Sequence, residues 1–192
     1  MILGSHNSWS FHQPVKWWMK PFAFMARCQS ADILTQYHKY GVRCFDLRVR
    51  LDRLGRSVMA HGFAEYGFTA GSGLYGDLHM LDLQGDAMVR VIHEVRGKKG
   101  HTEESVRWFR GFCESIADRY PNIRFWCGRN LYDWEKDYDF GDDPSCEEFY
   151  ASVRRPRLLD DWWPWLYAVS HNWSVKNDGT DKDVLLIDYV NI

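Results

Sequence analysis

The chain has 192 residues, of which 45% are hydrophobic and 26% are charged, and its formal net charge is −2. This size and composition predict one globular domain over residues 1–192 with a sizeable buried core. The near-zero net charge argues against a nucleic-acid-binding protein that works by bulk electrostatics, so we expect no nucleic-acid partner. No apolar stretch reaches the length of about 18 residues that a transmembrane helix needs.

The amino terminus and the cysteines both bear on where the protein resides. The first residues lack a basic region followed by an apolar core and a cleavage site, which is the pattern of a secretory signal. We therefore expect a protein that is cytoplasmic or peripheral to a membrane, and secreted only if a leader has been removed. We also expect it to be a monomer. The cysteines are odd in number and form no CxxC pair, which argues against a zinc site or a disulfide framework. They are Cys28, Cys44, Cys113, Cys127 and Cys146.

Short apolar runs predict seven strands, and a weaker strand signal lies within residues 130–145. A helix is predicted to begin within Ser-Ala-Asp at residues 30–32 and to end at Gly41, and another is predicted to begin at Thr102. Residues 144–153 also have a helical pattern. The predicted strands, in chain order, cover residues 1–5, 42–49, 57–60, 87–95, 123–127, 165–170 and 184–189.

The alternation of strands with helices and connections predicts a mostly parallel α/β sheet. Seven or eight strands in one domain indicate a closed (β/α)8 barrel. Such barrels usually take about 250 residues, with about 200 as the lower end. We therefore expect a small, distorted TIM barrel with shortened or missing helices, above all around residues 50–57 and 128–145.

Polar residues follow or end the predicted strands, which is where barrel enzymes carry their active sites. They are His6, Arg48, His61, Arg129 and Asp188. Two histidines can act as base and acid in one displacement, since the imidazole pKa is near neutrality. In a closed barrel the last strand neighbours the first, so Asp188 is placed to orient His6. Because Arg48 offers a planar fork of donors for a phosphate, the set predicts acid–base cleavage of a phosphodiester.

Several of these residues also have a purely structural interpretation. A given histidine in a protein is more often structural or solvated than catalytic. Asp46 and Arg48 are two residues apart on one strand and share a face, so a simple salt bridge is the alternative. His93, His171 and Asn172 are further candidates for the pocket, since they lie on or at the end of predicted strands.

Four segments together resemble the catalytic X-type domain of phosphatidylinositol-specific phospholipases C, and specifically its metal-independent bacterial branch. They occur in the order of that family, with roughly its spacing, and span almost the whole chain. The segments are Gly-Ser-His-Asn-Ser at 4–8, Gly-Val-Arg-Cys-Phe-Asp-Leu-Arg at 41–48, Ala-His-Gly at 60–62 and Asp-Tyr-Val-Asn at 188–191.

The resemblance implies a catalytic role for five residues. His6 is the general base that takes the proton from the inositol 2-hydroxyl, which then attacks phosphorus. His61 is the general acid that protonates the departing diacylglycerol oxygen. Arg48 stabilises the phosphoryl oxygens, Asp188 supports His6, and Asp46 helps to hold Arg48 and His61. The implied products are diacylglycerol and a cyclic inositol phosphate.

The resemblance also implies residues that bind the substrate and bears on the metal. Arg129 corresponds to an arginine that contacts inositol, and Asp137 and Tyr138 correspond to residues lining the inositol pocket. In the calcium-dependent branch the position of Arg48 carries a carboxylate, and a guanidinium there repels calcium, so we expect no cofactor.

Two substrate-site positions leave calcium as the alternative cofactor. Asn7 matches the calcium branch, where the bacterial branch has aspartate. Glu94 lies near a ligand glutamate of the calcium branch, and its structural alternative is pairing with a basic neighbour such as Arg96.

A cationic and aromatic segment over residues 15–22 predicts contact with a membrane surface through Trp17 and Trp18. Tryptophan favours the lipid interface, and lysine favours anionic headgroups. Trp162, Trp163 and Trp165 form a second cluster. The alternative is that these rings pack on the outside of the barrel.

The sequence therefore predicts a phosphoric diester lyase or hydrolase that acts on phosphatidylinositol-type lipids at a membrane surface. One alternative is a catalytically weak or inactive module that binds lipid headgroups. Another is a phosphodiesterase for a soluble or non-inositol phosphodiester.

Overall fold

The structure is a computed structural model, and it describes residues 1–68, 73–95, 102–128, 146–148, 163–178 and 181–192. The strands are β1 Ile2–Ser5, β2 Cys44–Leu51, β3 Ser57–His61, β4 Ala64–Gly67, β5 Met88–His93, β6 Arg124–Gly128, β7 Cys146–Glu148 and β8 Val184–Ile187. The helices are a 3-10 helix Trp17–Met25, α1 Ile33–Tyr40, α2 Leu74–Asp82, α3 Glu103–Arg119 and α4 Pro164–Asp178.

Six strands pair in parallel in the order β7-β8-β1-β2-β5-β6. The remaining two, β3 and β4, form an antiparallel hairpin on the carboxyl-terminal half of β2. Val49 pairs with Met59 of β3 and with His93 of β5, so these two strands lie on opposite edges of β2. The hairpin therefore follows β1 along one edge of β2.

The expected closed barrel is wrong, because the described residues form a curled half-barrel. Within these residues no ladder joins β6 to β7. The segment from residue 57 to residue 67 folds as a hairpin instead of a βα unit, which reduces the number of parallel strands. The short connection at residues 50–57 is as predicted, whereas most of the segment 128–145 lies outside the described residues.

The two faces of the sheet have different neighbours. One face carries an apolar cluster that occupies the inside of the curl: Ile2, Cys44, Met88, Trp126, Val184 and Leu186. The other face, which includes Phe45, Leu47 and Val89, packs against residues of the helices such as Phe109. Since side chains alternate along a strand, Asp46 and Arg48 continue the inner row that begins at Cys44.

Most predicted elements are confirmed. The strands predicted at residues 1–5, 42–49, 57–60, 87–95, 123–127 and 184–189 correspond to β1, β2, β3, β5, β6 and β8. Helix α1 begins after Asp32, whose carboxylate accepts a hydrogen bond from the N–H of Thr35, and ends at Gly41 with a φ of 72°. Thr102 and Ser105 form a capping box at the start of α3.

Two predicted elements are wrong. The strand expected at residues 165–170 belongs to helix α4, where Pro164, Tyr167, Ala168 and Asn172 are buried at helical spacing. The helix expected at 144–153 is replaced, at Cys146–Glu148, by strand β7, because its backbone pairs with β8. No helix in the described part of the chain is long and apolar enough to cross a membrane.

The close approach of β1 to its neighbours generates a prediction about stability. A Cβ at Gly4 would clash with Leu186 Cδ2 and lie 3.2 Å from Cys44 Cβ and from the Cys44 carbonyl oxygen. Leu186 and Cys44 are fully buried and have little room to move. We expect Gly4→Ala to reduce the free energy of unfolding by about 1–3 kcal/mol, measured by urea denaturation.

Gly111 provides the matched control. It lies in helix α3, and a Cβ added there would meet no atom within 4 Å. Gly111→Ala should leave stability unchanged or raise it by up to about 1 kcal/mol, because alanine favours helix. Equal stability of the two variants would contradict the tight packing at Gly4.

Candidate active site

The first and last strands bring together two residues that are 182 positions apart. Ser5 of β1 pairs with Ile187 of β8, so the next residues, His6 and Asp188, emerge side by side. His6 Nδ1 lies 2.7 Å from Asp188 Oδ1, and both residues are buried. When Nδ1–H donates a hydrogen bond to the Asp188 carboxylate, the lone pair of the neutral imidazole is at Nε2.

A buried ion pair lies beside this histidine. Arg48 is 1% exposed, and its Nε donates to Asp46 Oδ2 at 2.7 Å. Its Nη1 donates to Glu94 Oε2 at 3.5 Å. His6 Nε2 lies 4.0 Å from Asp46 Oδ2. The guanidinium therefore stands between two carboxylates, and one of them, Asp46, lies near the imidazole of His6.

The second imidazole comes from the antiparallel hairpin. The rings of His61 and His6 are 5.4 Å apart at 87°. His61 Nδ1 lies 3.0 Å from the carbonyl oxygen of Ala26, which accepts a hydrogen bond from it. Burial, followed by the positive charges of Arg48 and His6, lowers the pKa of His61, whereas Glu94 and the Ala26 hydrogen bond act in the opposite direction.

His6, His61 and Asp188 are each followed by a residue whose backbone is in the left-handed region. The φ angles are 44° at Asn7, 55° at Gly62 and 47° at Tyr189. Each of these residues donates a backbone hydrogen bond to another segment. The N–H of Asn7 donates to Asp46 Oδ2 at 2.9 Å, and that of Gly62 donates to Glu94 Oε1 at 3.0 Å. The N–H of Tyr189 donates to the Cys28 carbonyl at 2.6 Å. These bonds hold turns that two non-glycine residues adopt only at a cost.

Two buried amides connect the turns, and sequence reasoning did not identify either role. Gln29 Nε2 donates to the carbonyls of His6 and Ile187, while its Oε1 accepts from Val190. Asn172 Nδ2 donates to the carbonyls of Asp188 and Tyr189. A glutamine in a connection carries no local signal for such a role, because its partners lie far away in sequence.

Calcium does not fit this set of side chains. The ion takes six to eight oxygen ligands, several of them carboxylates. Here Asp46 and Glu94 are both engaged with the guanidinium of Arg48, which brings its own positive charge. Asn7 is buried, and its backbone N–H donates a hydrogen bond to Asp46 Oδ2.

The remaining predicted residues are placed differently or lie outside the described ranges. His93 stacks on Phe109 at 4.8 Å and 10°, on the helix-covered face of the sheet. His171 and Asn172 belong to helix α4. Outside the described residues lie Arg129, Asp137, Tyr138, Arg96 and Trp162.

The 3-10 helix carries exposed aromatic side chains. Met19 and Ala23 anchor it in the protein, while Trp17 is 80% exposed and Trp18 is 53% exposed. The Phe24 ring lies 5.1 Å from that of Trp163, which begins a second exposed group. We call the joined patch the aromatic surface: Trp17, Trp18, Phe22, Phe24, Trp163 and Trp165.

A cleft of about 880 Å³ connects the aromatic surface to the His61 turn. It extends from Trp18 to Gly62 and is lined mainly by basic and apolar side chains. The basic residues in its lining are Lys16, Arg50, Arg53 and Arg56. Three of these are paired with carboxylates of the same cleft: Lys16 and Arg50 with Glu65, and Arg56 with Asp52.

No protein-family model matches the chain, and no curated protein matches it at a significant level. Solved structures of the phosphatidylinositol-specific phospholipase C from Staphylococcus aureus do match. A variant with incorporated pentafluorophenylalanine has a TM-score of 0.59 and 16% identity, over 98% of this chain and 85% of that chain. A histidine-to-tyrosine variant has a TM-score of 0.59 and 16% identity, over 98% and 84%.

A further structure of the same enzyme, concerned with modulation of its membrane binding, matches over 67% of this chain and 47% of that chain, with a TM-score of 0.47. The two nearly full-length matches show that this chain has a fold like that of the phospholipase.

The charges around His61 generate a prediction about its titration. We expect the His61 pKa, followed by NMR of the imidazole protons, to lie below the usual value of 6.5. Glu94→Gln removes a negative charge that raises this pKa and still offers an oxygen to Gly62, so the pKa should fall further. Glu114→Gln, on the exposed side of α3, should leave it unchanged. A His61 pKa at or above 6.5 would contradict this electrostatic picture.

Proposed function

We propose that the chain is a phospholipase-C-type phosphodiesterase that cleaves phosphatidylinositol-type lipids to diacylglycerol and a cyclic inositol phosphate. The observation that carries this proposal is the His6–Asp188 pair, 2.7 Å apart, with the His61 ring 5.4 Å from His6. The buried guanidinium of Arg48 beside them adds the positive charge that a phosphoryl group requires. The likeness to a phospholipase fold supports the same activity.

In the proposed reaction His6 acts as the base. Its Nε2 takes the proton of the inositol 2-hydroxyl, and the resulting oxygen attacks phosphorus to form the ring of the cyclic phosphate. Asp188 holds the Nδ1 proton and stabilises the imidazolium that forms. General base catalysis of this kind contributes about 10²–10⁴-fold to the rate.

His61 acts as the acid. Its Nδ1 proton is held by the Ala26 carbonyl, so Nε2 carries the proton that goes to the diacylglycerol oxygen as the bond to phosphorus breaks. Burial and the positive charges of Arg48 and His6 lower the pKa of His61 and so disfavour the protonated form in the free protein. A bound phosphodiester favours the imidazolium, because its negative charge lies close to the ring.

Arg48 supplies the charge that stabilises the developing phosphoryl oxygens, so the proposed reaction needs no metal cofactor. Asp46 positions the guanidinium by accepting from Nε, and Glu94 lies at Nη1. Removing one preorganised donor of this type typically costs about 10²–10³-fold in turnover. We retain Asn7, Glu94, Arg129, Asp137 and Tyr138 as proposed substrate-binding residues.

We also propose that the aromatic surface contacts the membrane. Trp17 and Trp18 point away from the protein because Met19 and Ala23 occupy its interior, which leaves the rings free for lipid. Lys20 is exposed beside them, where anionic headgroups would lie. The protein would then act as a peripheral enzyme, with its cleft opening toward the lipid.

The principal experiment is cleavage of phosphatidylinositol vesicles in excess chelator. We expect release of cyclic inositol phosphate, and a loss of about 10²–10⁴-fold in His6→Ala. His79→Ala, an exposed histidine on α2, should keep the wild-type rate. Activity that disappears with chelator and returns with calcium would contradict the metal-free mechanism.

The same assay distinguishes the alternative functions. Tight vesicle binding without cleavage, unchanged by His6→Ala, would identify a headgroup-binding module. Chromatography of the products from a panel of lipid and soluble phosphodiesters would identify a different substrate.

Vesicle binding tests the aromatic surface. Burial of a large apolar side chain contributes about 1.5–3 kcal/mol, and about 1.4 kcal/mol changes an equilibrium tenfold. We therefore expect Trp17→Ala with Trp18→Ala to weaken binding by about tenfold or more in a sedimentation assay. Trp173 is also 80% exposed, but it lies on α4 about 15 Å along the helix from Trp163. Equal losses in Trp173→Ala would rule out a specific surface.

A further inference from the structure

A thiol that the proposed reaction does not use lies next to both histidines. Cys28 is fully buried, and its Sγ lies 3.6 Å from Nδ1 of His61. One ligand atom each of His6, Cys28 and Asp188 lie within 4.8 Å of one another. These residues follow β1, the 3-10 helix and β8, so only the folded chain brings them together. The absence of a CxxC pair therefore does not exclude a metal site here.

The three side chains are a ligand set that zinc prefers. Zinc binds imidazole, thiolate and carboxylate at about 2.0–2.3 Å in tetrahedral geometry, which places the ligand atoms roughly 3.3–3.8 Å apart. The 2.7 Å between His6 and Asp188 would open slightly, and the other separations would close by about 1 Å or less. The Cys28 thiol is hydrogen-bonded to the Asp188 side chain, so the sulfur already lies beside the carboxylate.

We propose that His6, Cys28 and Asp188 form an inhibitory binding site for zinc or a similar soft divalent metal ion. Two of these residues, His6 and Asp188, also take part in the proposed reaction, which uses no metal. The inhibition rests on the proposed function, whereas the binding of the metal does not.

Binding of the ion releases one proton. Cys28 gives its thiol proton to solvent, the metal takes the Nδ1 lone pair of His6, and the imidazole proton moves from Nδ1 to Nε2. The thiolate and the Asp188 carboxylate balance the two positive charges of the ion. Because Nε2 is the atom that accepts the inositol proton, the metal-bound enzyme has no base.

The same chemistry gives the site its selectivity. Burial, then the charge of Asp188 and the hydrogen bond to it, raise the pKa of the Cys28 thiol. A coordinating zinc ion deprotonates a thiol outright, whereas calcium and magnesium prefer oxygen ligands. His61 is partly exposed, and its Nδ1 lies 3.6 Å from the sulfur.

The test begins with the full chain freed of metal by a chelator that is then removed. Co²⁺, used as a spectroscopic substitute, should produce a thiolate-to-cobalt charge-transfer band that saturates at one equivalent and is displaced by Zn²⁺. Cys28→Ser should lose this band. Cys113→Ser removes another buried thiol, on α3, and should keep it.

Zinc affinity is measured by competition with a chromophoric chelator. We expect Cys28→Ser and Asp188→Asn each to weaken binding by more than about tenfold, since even indirect changes around a metal cost about that much. A wild-type cobalt spectrum without the thiolate band, or wild-type affinity in Cys28→Ser, would overturn the site. If Cys28→Ser does not fold, the wild-type spectrum and Asp188→Asn decide the question.

The inhibition is measured on phosphatidylinositol vesicles as the ratio of rates with and without Zn²⁺. We expect this ratio to be about one tenth or less in the wild type and to stay near one in Cys28→Ser. Adding Ca²⁺ in place of Zn²⁺ should leave the rate of the wild type unchanged. Zinc binding without inhibition of an active enzyme would overturn the inhibitory role. Absence of turnover without metal would instead contradict the proposed function and leave the cobalt result standing.

Discussion

The buried carboxylate of Asp46 is the interaction on which the site depends. Its Oδ2 accepts hydrogen bonds from Arg48 Nε and from the backbone N–H of Asn7. The backbone N–H of Asp46 donates to Ser8 Oγ, and the Asp46 carbonyl accepts from the N–H of Ser8. Asp46 therefore neutralises a fully buried guanidinium and ties the turn that presents His6 to strand β2. Removing one partner of such a buried pair costs about 3–5 kcal/mol, so the charge required by the proposed phosphate chemistry and the stability of the fold are coupled.

The turns beside the site are held under local strain by distant partners. Asn7 and Tyr189 adopt left-handed φ angles that cost about 1–3 kcal/mol each, and neither has the freedom of glycine. Hydrogen bonds from their N–H groups to Asp46 and Cys28 offset this cost. The result is a set of side chains whose directions are set by the fold itself, which is what the proposed acid–base chemistry requires.

The antiparallel hairpin explains how a half-barrel can still carry two facing imidazoles. In a full barrel each functional side chain would end a separate parallel strand. Here β3 continues from β2 on the edge that β1 vacates, so His61 approaches His6 from the side. The Cys28 thiol lies next to both rings, with Sγ 3.6 Å from Nδ1 of His61. The proposed reaction centre and the proposed metal site therefore lie next to each other and share His6.

Local patterns in the sequence determined six of the strands, helices α1 and α3, and the places of His6, Arg48, His61 and Asp188 at strand ends. Apolar runs and helix caps depend on neighbours a few residues away, so they can be recognised without a structure. Only the tertiary structure decided that the sheet stays open among the described residues, that residues 165–170 are helical, and that two tryptophan clusters join. It also decided the roles of Gln29 and Cys28. These features depend on contacts between distant segments, which leave no periodic trace in the sequence.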